Sequence, residues 1–93
     1  MVFLQITMTI ALQNRPAAAE IYQKFKTPFL STVQGAESKQ LLIREEDVQV
    51  LHGFSSLADA QNYLRSNLFT QDVVVALQPL FEAAPDIRIY QVA

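Results

Sequence analysis

The chain has 93 residues, 51% of them hydrophobic and 17% charged, with a formal net charge of −2. That is one small domain with more apolar surface than a short monomer can easily hide, which points to a homo-oligomer. The seven Lys and Arg residues are scattered, there is no cysteine and there is one histidine, so nucleic-acid binding, disulfides, thiolate chemistry and a metal site built on imidazoles are all disfavoured.

Residues 2–11 alternate with period two. Val2, Leu4, Ile6, Met8 and Ile10 line one face, and Phe3, Gln5, Thr7 and Thr9 the other. The segment has no basic start, so it reads as a strand rather than a secretion signal or a membrane span. A cytoplasmic, membrane-free protein is expected.

A helix is predicted over 15–32. Asn14 is placed to cap it and Pro16 suits its first turn. Ile21, Phe25 and Phe29, with Tyr22 beside them, form its apolar stripe. Pro28 removes one backbone bond, so a kink or a restart capped by Thr27 is expected. Gly35 ends the helical stretch, and residues 38–44 read as a strand. Glu45-Glu46-Asp47 is a turn too short for a crossover, which makes the second and third strands a hairpin. It is a solvated turn, since consecutive acids do not converge on one cation.

Val48-Gln49-Val50-Leu51-His52-Gly53-Phe54 is the third strand. Val48, Val50, His52 and Phe54 share one face. Ser56 then begins a helix with Asp59 three residues on, and Ala60, Tyr63 and Leu64 face inward. This helix is expected to falter near Asn67. A second segment starts at Thr70-Gln71-Asp72, with Val73, Leu77, Leu80, Phe81 and Ala84 as its stripe and Pro79 bending it. Residues 87–92 are the last strand.

The order is strand, helix, strand, strand, broken helix, strand. This is an α+β, ferredoxin-like βαββαβ plan over residues 1–93, with a four-stranded antiparallel sheet and its helices on one face. The other face carries Phe3, Gln5, Thr7, Gln49, Leu51, Arg88, Tyr90 and Val92. It is less charged than a wet sheet face should be, so it is expected to meet the same face of a second copy. The inverse assignment of faces would move His52 to that interface.

The stretch from His52 to Ser66, together with Pro28-Phe29-Leu30 before Gly35, resembles the dimeric α/β-barrel superfamily, and within it the antibiotic-biosynthesis monooxygenase-like group. The resemblance implies a homodimer whose sheets close into a barrel, with a pocket between sheet and helices. It also implies oxidation of aromatic molecules by O₂ without a cofactor. Phe54 stands where that group often has tryptophan. The predicted helices hold no histidine of the kind that ligates iron in haem-degrading relatives.

His52 is the candidate catalytic residue, a general base near neutral pH. The alternative is a buried histidine bonded to the protein. Tyr22, Phe25, Phe29, Phe54, Tyr63 and Phe81 are the candidate walls of a site for a small apolar or aromatic ligand; the alternative is plain core. Arg88 beside Tyr90 is read as an anion contact or, alternatively, a salt bridge. No metal and no cofactor is expected. The two functions in view are an oxidoreductase acting on a small aromatic or enolic molecule and a non-catalytic ligand-binding dimer.

Overall fold

The computed structural model describes residues 1–93. The strand with the cleanest alternation is β1, Val2–Met8, whose residues are buried and half-buried in strict turn. It lies in the middle of the sheet. β3, Val48–Phe54, pairs with it antiparallel, Leu4 opposite His52 and Ile6 opposite Val50. β2, Ala36–Ile43, and β4, Asp86–Gln91, form the edges, and the spatial order is β2-β3-β1-β4. All pairings are antiparallel, as the ferredoxin-like plan requires. A register shift between Ala36 and Ser38 leaves Glu37 as an extra residue at the start of β2.

Helix α1 runs over Arg15–Thr32, the predicted span. Its buried residues, Ala18, Tyr22, Phe25 and Phe29, are spaced four, three and four apart, the footprint of one helical face. Tyr22 therefore replaces Ile21 at the centre of the stripe; Ile21 is half-buried. The start differs from the expected Asn14 cap. Leu12–Asn14 form a 3₁₀ turn that feeds directly into the helix, and the Asn14 side chain makes no capping bond. Arg15 holds this end instead. Its guanidinium donates to the carbonyls of Ile10, Arg44 and Glu45, tying the helix start to the β2–β3 turn. The helix passes through Pro28 without a restart, and Thr27 caps nothing. The hydroxyls of Ser31 and Thr32 donate to the carbonyls of Thr27 and Pro28.

Gly35 turns the chain into β2 with φ of 77°, a conformation that glycine adopts without strain. The β2–β3 turn is closed by Arg44, which pairs with Asp47 at 2.7 Å and lies 3.6 Å from Glu46.

Helix α2, Leu57–Arg65, is capped as its sequence predicts: the Asp59 amide donates to Ser56 Oγ. It ends at Ser66. The next segment begins earlier than Thr70, because Ser66 Oγ accepts the Phe69 amide and supplies the start signal. Residues Leu68–Val73 form a π turn, followed by the short helix α3, Val74–Leu77, and a 3₁₀ turn at Gln78–Leu80. Phe69 and Val73 are its buried residues, Leu77, Leu80 and Phe81 are half-buried, and Ala84 is exposed.

The core lies between the helices and one sheet face, where Leu4, Phe29, Phe54 and Ala60 are wholly buried. Burying each of the large side chains contributes about 1.5–3 kcal/mol. On the helix-free face Tyr90 and Val92 are exposed, and Phe3, Gln5, Gln49 and Leu51 are half-covered. No helix is long and apolar enough to cross a membrane.

Candidate functional site

The alternation of β3 directs His52 to the helix side, and there it is 2% exposed. Its Nδ1 lies 3.1 Å from the carbonyl oxygen of Leu4, its neighbour on β1. A carbonyl only accepts, so Nδ1 carries the hydrogen and the neutral ring keeps its lone pair at Nε2. Burial pushes the imidazole pKa down to about 3. The charge of Lys39 pushes the same way, and the carbonyls of Leu4 and Val50 oppose it.

Lys39 is directly across the β2–β3 register from His52 and shares its face. It is the only Asp, Glu, Lys or Arg side chain that is buried. Its Nζ lies 5.2 Å from the ring centre of Phe29 and 5.8 Å from that of Tyr22. None of the ion pairs of the chain includes it. Desolvation lowers its pKa to about 8. Tyr22 fixes the same residue from α1, its hydroxyl donating 2.7 Å to the Lys39 carbonyl.

Sequence reasoning missed Lys39. Its signal was present: Lys39, Leu41 and Ile43 recur with period two, and Leu41 and Ile43 belong to the face of Val50 and Val48.

These two residues line an apolar cavity of about 160 Å³. Ile6 and Met8 of β1 form its floor, Tyr22 and Phe25 one wall, and Phe69, Val73 and Phe81 the other. Apart from the Tyr22 hydroxyl, Lys39 and His52 are the only side chains on its lining that carry polar atoms. Of the predicted site residues, His52, Tyr22, Phe25 and Phe81 meet on this cavity. Phe29, Phe54 and Tyr63 do not line it. They form an edge-on aromatic cluster beside it, with ring centres 5.0 Å apart for Phe29 and Tyr63 and 5.5 Å for Phe29 and Phe54. His52 touches this cluster too, at 5.2 Å from Phe29 and 5.6 Å from Tyr63. The Tyr63 hydroxyl is the one buried side-chain polar atom without a hydrogen-bond partner, and burial pushes its pKa up. Arg88 is exposed and pairs at 3.1 Å with Asp86 on its own strand. No three His, Asp or Glu side chains converge as metal ligands would.

No family model and no curated protein sequence matches the chain. Solved structures do. A "putative antibiotic biosynthesis monooxygenase" from Caulobacter crescentus CB15 superposes with a TM-score of 0.85 at 14% identity, covering 99% of this chain and 89% of that one. One of the same name from Deinococcus radiodurans gives 0.83 at 14% identity, covering 100% and 93%. Rv0793 from Mycobacterium tuberculosis gives 0.82 at 12% identity, covering 99% and 94%. The chain has the fold of the antibiotic biosynthesis monooxygenases. At these identities the likeness to the monooxygenases is one of architecture, and the chemistry rests on the residues of the cavity.

Proposed function

We propose that the chain is an enzyme acting on a small, flat, apolar molecule with one ionisable hydroxyl, a phenol or an enol. The observation that carries this reading is an apolar cavity whose only ionisable wall groups besides a tyrosine are His52 and Lys39. An apolar cavity of about 150 Å³ admits benzene, so a volume of about 160 Å³ suits a single ring. Tyr22, Phe25 and Phe81 contact the faces of the ring, and His52 Nε2 accepts a hydrogen bond from its hydroxyl. The structural neighbours bear the name of monooxygenases; by that analogy the ionised substrate reacts with O₂ without a cofactor. A second copy covers the helix-free sheet face around Leu51 and Tyr90, an interface on the usual scale of about 1,500 Å².

The test is O₂ consumption and product mass with a series of single-ring phenols and enols. Uptake above the protein-free rate is expected, falling about tenfold in His52→Ala with the loss of one hydrogen bond to the substrate. An unchanged rate in that variant would falsify the role of His52. Binding without O₂ uptake by any compound would favour a non-catalytic carrier, the reading that the weak basicity of His52 supports.

A further inference from the structure

Lys39 is a buried cation without a counter-charge. β3 faces it with the neutral ring of His52. α1 faces it with the Tyr22 phenol, and Lys26 lies on the same ring, its Nζ 5.6 Å from the Tyr22 centre. The aromatic cluster adds Phe29 and, beyond His52, the Tyr63 phenol. No element brings a carboxylate into an ion pair with it. Desolvation beside the Phe29 and Tyr22 rings disfavours its charged form and lowers its pKa to about 8, and an anion in the cavity would offset that cost. Replacement by an apolar residue would remove that cost, and the cavity that Lys39 lines has room for an anionic ligand.

We propose that Lys39 takes the proton from the hydroxyl of the ligand in the cavity and then holds the resulting phenolate or enolate as its ion-pair partner. This rests on the reading of the cavity given above. In the step the ligand O–H bond breaks, its electron pair stays on oxygen, and the amine lone pair of Nζ forms the new N–H bond. No oxidant is consumed. With a pKa of about 8, about a tenth of the side chain is neutral amine at pH 7. His52, held near 3, is too weak a base to retain a phenolic proton, so the hydroxyl that rests on its Nε2 turns to Nζ for the proton to pass, and the oxyanion is then held by Lys39 alone.

The probe is 4-nitrophenol, coloured only as the phenolate, added to the full chain at a pH where half of the free probe is ionised. The wild type is expected to bind it with the equilibrium shifted about tenfold towards phenolate. Lys39→Met is expected to bind it as the colourless phenol. In the wild type alone, the ¹³Cε resonance of Lys39 should titrate near 8 and move upward by about one unit with bound probe. This second measurement decides the matter if Lys39→Met does not fold. Equal ionisation of bound probe in the wild type and Lys39→Met, or an unmoved Lys39 midpoint, overturns the proposal. If toluene binds while the probe's ionisation is unchanged, only the role of Lys39 falls. If neither toluene nor 4-nitrophenol binds, the reading of the cavity falls and takes this proposal with it.

Discussion

The space between helices and sheet has two ends that are built differently. At one end Phe29, Phe54, Ala60 and Tyr63 fill the layer under α2, and Phe29, Phe54 and Ala60 are wholly enclosed. At the other, Phe25, Phe69 and Val73 stand around a hollow of about 160 Å³ under α1 and the π turn. Both ends rest on the same face of the same two strands. The difference teaches that backbone architecture alone does not decide where a site opens. The filled end has interlocked rings, and the hollow end has Lys39 on its lining. His52 stands on the border and contacts both.

The largest effect should come from cutting into the filled end. Phe29→Ala is expected to cost about 3–5 kcal/mol by urea denaturation. Phe25→Ala, whose ring already borders empty space, should cost about half as much, because fewer contacts are lost. Equal losses would mean that the two ends are packed alike.

Next is the acid response of the border residue. His52 titrates near 3 in the folded chain against 6.5 when free. Between these values the unfolded chain binds the proton and the folded one does not, so stability is full above about pH 6.5 and falls as the pH drops towards 3. The loss between pH 6.5 and about pH 4 should be on the order of 3 kcal/mol, and His52→Leu should flatten the profile over that interval. A wild-type profile that is already flat there would show that the imidazole is not desolvated.

The smallest effect has the opposite sign. Lys39→Met should raise stability at pH 7 by about 1–3 kcal/mol, since an unpaired buried charge gives way to an apolar chain of similar length. A loss of stability would show that its contacts with the Phe29 and Tyr22 rings outweigh its desolvation. With a gain, the lysine would be a residue kept at the expense of the fold, as functional groups often are.

How far these features were legible varies with the kind of signal. The central strands and α1 follow from strong periodicity: Val2 to Met8 alternates without a fault, and Ala18 to Phe29 repeats at helical spacing. The phase of His52 with Val48 and Val50 put the three on one face, and the cover of the helices decides that this face is the inner one. Lys39 stayed hidden because a lysine on an edge strand ordinarily faces water, and only its phase with Leu41 and Ile43 betrayed it. Residues 68–80 were legible in composition but not in pitch. Three kinds of helical turn follow one another there, so no single period describes them. The division of the aromatic residues between wall and filling depends on which rings interlock, and spacing along the chain carries no record of that.

The π turn has a consequence at the level of the gene. A π turn holds about one residue more than an α turn. Loss of a single codon within Leu68–Val73 would remove that surplus residue and let the segment wind as regular helix, with the residues after it still on their present faces. Phe69 and Val73, four apart, are both buried, a spacing that shares one face in a regular helix too. This wall of the cavity can thus shorten by one residue and keep the phase of its inward side chains. Point substitutions at Thr70 or Gln71, both exposed, should pass almost unnoticed, and loss of one of the two should cost far less than the same loss inside α1, which would turn every later residue of that helix by about 100°.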